Sequence, residues 1–143
     1  MPKVTINDTK GLYQETGSGV TVTSATNLQN VNSLVFGTEA ITTAGAASIT
    51  VPVALVTPDE ADMAITLADG EATGQVKHFL SMVDANSWKV TPTSTDGSYT
   101  KVTCTKIGDT VTLMWSGTGW AILSRASGTA AGATAVVDMP VVA

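Results

Sequence analysis

Five carboxylates crowd one stretch of this 143-residue chain: Asp59, Glu60 and Asp62, then Asp69 and Glu71. Such a group is the raw material of a cation site or an acid–base pair. A calcium loop, however, needs ligands at fixed spacing around a sharp glycine turn, and Asp69-Gly70-Glu71 supplies only a fragment of that pattern. Glycoside hydrolysis needs two carboxyls facing each other across a cleft, which the spacing does not specify. Solvated turn residues are the reading that fits. His78 is the only histidine, so a centre built from several imidazoles is excluded, and Cys104 sits in the same register as Val102, where a thiol in apolar surroundings is inert. The glycines of Ser116-Gly117-Thr118-Gly119 are not followed by the helix that anion cradles use, and there is no Gly-x-Ser-x-Gly elbow. No metal, cofactor or catalytic residue is expected, and the chain reads as no enzyme.

Three tryptophans remain. Aromatic faces on β-proteins can stack against sugars. Trp115 shares a register with Val111 and Leu113, and Trp120 with Ile122, so both are expected in the core; Trp88 is the one left for a glycan.

The elements that carry these residues are strands. Val102 and Cys104 alternate with Lys101, Thr103 and Thr105; Val111, Leu113 and Trp115 alternate with Thr110, Thr112 and Met114; Trp120, Ile122 and Ser124 follow the glycine turn. A period of two marks half-buried strands, and glycine supplies the positive φ of tight turns, so residues 100–124 predict a three-stranded antiparallel meander. Met63, Ile65 and Leu67 predict a strand into the Asp69-Gly70 turn, and Trp88, Val90 and Pro92 another. Ile49, Val51, Val53 and Leu55 alternate with Thr50, Pro52 and Ala54, with Pro52 marking an edge or bulge, while Gly45-Ala46-Ala47 reads as loop. Further β-prone runs are Val20-Thr21-Val22-Thr23 and Leu34-Val35-Phe36.

From Gly74 to Val83 apolar groups fall on both faces: Val76, His78, Leu80 and Met82 on one, and Phe79 and Val83, with Lys77 and Ser81, on the other. Such a strand is central in a sandwich or meets another subunit. Residues 1–18 read as an extended N-terminal arm with Leu12 and Tyr13 as a foothold, and residues 19–143 as a single β domain. The tail is apolar to its end, with Val141 and Val142 expected to pair as a strand or enter an interface. The fold class is all-β, an antiparallel β-sandwich or β-barrel.

Composition narrows the partners. Hydrophobic residues make up 43% of the chain and charged residues 13%, about half the usual charged share, so Thr, Ser, Ala and Gly cover much of the surface. An uncharged polar surface meets other protein at lower desolvation cost than one dense in Lys and Glu. A net charge of −5 with scattered basic residues speaks against nucleic acid. No apolar run suits a signal peptide or a membrane span, and one cysteine permits no internal disulfide.

The run Leu67-Ala68-Asp69-Gly70-Glu71-Ala72-Thr73-Gly74-Gln75-Val76-Lys77, with Gly108-Asp109-Thr110-Val111-Thr112-Leu113 and Gly119-Trp120-Ala121-Ile122-Leu123, resembles a β-domain of tailed-bacteriophage virion proteins. That group includes capsid decoration (cement) proteins and head or tail fibre modules. The resemblance covers about residues 62–125 and rests on turn and core residues. It implies a homotrimer on the outer face of an icosahedral shell, assembled in the host cytoplasm, binding the major capsid protein and stabilising the shell by mass action and polyvalency. Interface positions would then be Val4, Ile6, Leu12, Tyr13, Phe79, Val141 and Val142. The alternatives are a fibre module holding host-surface glycan at Trp88 and, more remotely, a polysaccharide depolymerase, which would ask for long repeats and carboxylate clusters.

Overall fold

The computed structural model describes residues 4–7, 11–14, 35–128 and 141–142. By its contacts the chain divides into two units, Met1–Leu34 and Val35–Ala143. In the first, β1 (Val4–Asn7) and β2 (Gly11–Gln14) pair antiparallel, with Ile6 opposite Leu12 and Thr5 opposite Tyr13. Over these residues the expected extended arm is a hairpin.

The second unit is all-β, with no helix among its described residues. Its strands are β3 (Thr38–Ile41), β4 (Gly45–Ala47), β5 (Val53–Val56), β6 (Met63–Leu67), β7 (Val76–Ser81), β8 (Trp88–Pro92), β9 (Val102–Cys104), β10 (Thr110–Trp115), β11 (Trp120–Ala126) and β12 (Val141–Val142). They form two five-stranded sheets, ordered β11-β10-β7-β5-β3 and β12-β9-β8-β6-β4. Neither closes into a barrel.

The path between the sheets corrects the antiparallel expectation. From β3 to β8 each strand crosses to the opposite sheet, so neighbours within a sheet come from successive coils and run parallel: β3 with β5, β5 with β7, β4 with β6, β6 with β8. Antiparallel pairing appears where the chain turns back, in β8–β9, β10–β11, β7–β10 and β9–β12. Both sheets are mixed.

The expected meander is therefore divided. The β10–β11 hairpin forms around the predicted turn, where Ser116 N–H donates to the Gly119 carbonyl at 3.0 Å and Gly117 takes φ 107°. β9, however, belongs to the other sheet. The corner between β9 and β10 is held by Asp109, which is 1% exposed. Its Oδ2 accepts from Thr105 N (2.8 Å) and Lys106 N (3.0 Å), and its Oδ1 from Ser127 Oγ (3.2 Å) and Gly128 N (3.1 Å). A carboxylate that satisfies several donors can be buried, and it fixes the corner and the end of β11 together.

Period two places side chains as expected in β6, β8 and β10, whose burial alternates from a buried first or second residue. Two readings shift. Gly45-Ala46-Ala47, expected as loop, is strand β4, because parallel pairing with β6 supplies the ladder that its small side chains do not signal. In β5 the buried residues are Ala54 and Val56, while Val53 and Leu55 face outward. Pro52 sits one residue before β5, which is an interior strand and not an edge. Among the β-prone runs, Val20-Thr21-Val22-Thr23 lies outside the described residues, and Val35 and Phe36 precede β3 as exposed chain.

Inward rows of the two sheets share one core that includes Phe79, Trp88, Val90, Val111, Leu113, Trp115 and Trp120. Phe79 of the first sheet meets Trp88 of the second with ring centres 5.9 Å apart. Trp115 and Trp120, opposite each other on β10 and β11, pack at 5.7 Å with planes tilted by 59°. Tyr99 closes one end: its hydroxyl donates to the Trp120 carbonyl at 2.6 Å, and burial, with the nearby Asp96 charge, pushes its pKa up to about 12.

Candidate interaction surface

No chemical centre assembles from the expected candidates. Asp59, Glu60, Asp62, Asp69 and Glu71 are all exposed. Asp62 takes a left-handed φ of 58° and accepts from Ser87 Oγ at 2.7 Å, and Asp69 accepts from Ser94 Oγ at 3.2 Å, so both stabilise turns. Among the described residues no three His, Cys, Asp or Glu side chains converge as metal ligands would. Cys104 is buried on β9; burial, reinforced by Asp109, pushes its thiol up, away from thiolate. His78 lies in an outward row of the other sheet and is not paired with it.

Trp88 is fully buried. It presents no face to a sugar, and its indole Nε1 is buried without an acceptor, a cost of about 1–3 kcal/mol that its packing must offset.

Phe79, expected at an interface, is also fully buried. The strand β7 is central, with Lys77, Phe79 and Ser81 inward, so the surface it offers is the opposite row of Val76, His78 and Leu80. For Val4, Ile6, Leu12 and Tyr13 the structure describes the backbone alone. Val141 and Val142 pair with Thr103 and Val102 as an edge strand, the pairing expected of the apolar tail, and Val142 is 38% exposed.

The register of the first sheet defines the surface around that row. Val53 lies beside His78 and Leu55 beside Leu80; Thr112 lies opposite His78 and Met114 opposite Val76; Thr38 and Ala40 extend the rows on β3, and Ala121 and Ser124 on β11. None of these outward strand positions is Asp, Glu, Lys or Arg. At one margin Phe36, Pro52, Val53, Val76 and His78 line an apolar depression of about 270 Å³. Phe36 (55% exposed), Val76 and Met82 add apolar area. A contiguous uncharged sheet face is what protein–protein interfaces tend to have at their centre.

The chain matches no protein-family model. No curated protein matches it in sequence either.

His78 adds a pH dependence to this face. Its Nδ1 shares a hydrogen bond with Thr112 Oγ1 at 2.7 Å, and burial pushes its pKa below the ordinary value of 6.5, leaving the ring neutral at pH 7. Above 6.5 both folded and unfolded chains hold a neutral ring. As pH falls through 6.5 the unfolded chain takes up its proton first, so stability drops until the folded ring titrates as well. Thermal melts at about pH 7.5 and about pH 5 should show a smaller acid loss for His78→Asn than for the parent chain. Equal losses would place the acid sensitivity elsewhere.

Proposed function

We propose that this is a structural, assembling protein whose uncharged outer sheet face seats against other protein. Within that class the reading is a capsid decoration (cement) protein of the tailed-bacteriophage type. It associates as a homotrimer on the outside of the shell and binds the major capsid protein, with no catalysis, cofactor, nucleic acid or membrane involved. The observation that carries this reading is the outer face of β3, β5, β7, β10 and β11, which has no charged strand residue across five strands. A protein that binds only the assembled shell stabilises it by mass action, and a symmetric oligomer multiplies each contact. The resemblance over residues 62–125 supplies the virion setting. The fibre reading is weakened by the burial of Trp88, its one assigned glycan contact.

The test is association. Native mass spectrometry is expected to give a trimer, and the protein added to expanded, undecorated capsid shells should raise their melting temperature. Leu80→Asp puts a charge in the middle of the face and is expected to abolish both while leaving the circular dichroism spectrum unchanged. A chain that stays monomeric at every concentration and leaves shells unaltered would refute the proposal.

A further inference from the structure

Lys77 is fully buried, yet its row on β7 is the inward one that also carries Phe79. Its ammonium touches Glu39 Oε1, donates to the Val51 carbonyl at 2.7 Å and lies 5.4 Å from the centre of the Phe79 ring. Glu39 is on the edge strand β3, two strands away, and the small Ala54 of β5 between them leaves the path open. The Ser48 N–H donates to both Glu39 oxygens at 3.2 Å.

We propose that Lys77 and Glu39 join through an amide between Nζ and Cδ, an intramolecular isopeptide bond that the folded protein forms by itself. The geometry sets the reaction up. Nucleophile and carboxyl are held in contact by three strands, and such intramolecular pairs reach effective molarities on the order of 10⁵–10⁸ M. Burial lowers the Lys77 pKa against the opposing pull of Glu39, which favours the neutral amine that attack requires. Two charges brought out of water are costly to keep, and condensation removes both.

The balance closes without a co-reactant. A proton passes from Nζ to the carboxylate along their hydrogen bond; the neutral amine attacks Cδ, and the Ser48 N–H is placed to stabilise charge developing on the carboxyl oxygen. The N–C bond forms and a C–O bond breaks. The hydroxyl departs with a second nitrogen proton as water, and the 20% exposure of the Glu39 side chain gives it a way out.

The experiment is the intact mass of the full chain after denaturation, followed by tryptic mapping. The expected mass is one water below that of the sequence. Trypsin should fail to cut after Lys77, giving a 11–89 fragment lighter by one water in place of 11–77 and 78–89. Lys77→Arg should restore the full mass. Dehydration at Asp69-Gly70 or Asp96-Gly97 as a succinimide would also remove one water. A deficit that persists in Lys77→Arg, or cleavage after Lys77 in the parent chain, overturns the proposal. So does a full-mass parent chain.

Discussion

Replacing Trp120 by alanine is expected to cost about 3–5 kcal/mol, a large part of the roughly 5–15 kcal/mol that a domain of this kind has. The ring is fully buried and packs on Trp115, so its removal leaves a cavity that two paired strands cannot collapse around. The indole Nε1 donates to the Ala68 carbonyl at 2.9 Å, joining β11 to the loop after β6, and that bond would be lost as well. Trp120→Phe retains most of the ring and should lose far less. Urea unfolding, read as the shift of midpoint at constant slope, measures both. A loss below about 1 kcal/mol for the alanine variant would mean that this ring is not part of the core.

Lys77→Ala should be comparably damaging. It removes the Lys77 side chain together with its link to Glu39 and leaves a free Glu39 carboxylate facing an apolar row, and stranding one buried charge by deleting its partner costs about 3–5 kcal/mol. The Glu39 side chain keeps 20% of its surface exposed, so the lower end of that range applies. Removing both charges, as in Lys77→Met with Glu39→Leu, should be less harmful than the single change, because no charge is then stranded. The same urea series gives the ordering, and a double variant no more stable than Lys77→Ala would show that charge burial is not what the pair manages.

Local patterning was legible because it depends on neighbours two residues apart. Met63, Ile65 and Leu67, then Trp88 and Val90, then Val111, Leu113 and Trp115 all point inward as their alternation requires. Alternation does not say which strand lies alongside. β9 and β10 look like partners in sequence, yet they separate because Asp109 turns the chain between sheets. Where both faces of a strand are apolar, as in β5 and β7, the pattern leaves the inward side open, and it is the structure that turns Val53 and Leu55 outward and Phe79 inward. The burial of Lys77 depends on a partner 38 positions away. Its one local sign was a cation in the same row as Phe79.

The register shift at Leu123 governs how copies can meet. One extra residue there interrupts the β10–β11 ladder between Thr112 and Leu113, on the outermost strand of the first sheet. A bulge twists and breaks the rim of a sheet, so a further strand cannot zip along it indefinitely. Growth by end-to-end β-addition, the route to fibrils, is obstructed on that side. Along β11, copies are left to meet broadside, and broadside contacts can close into finite rings with a fixed number of members.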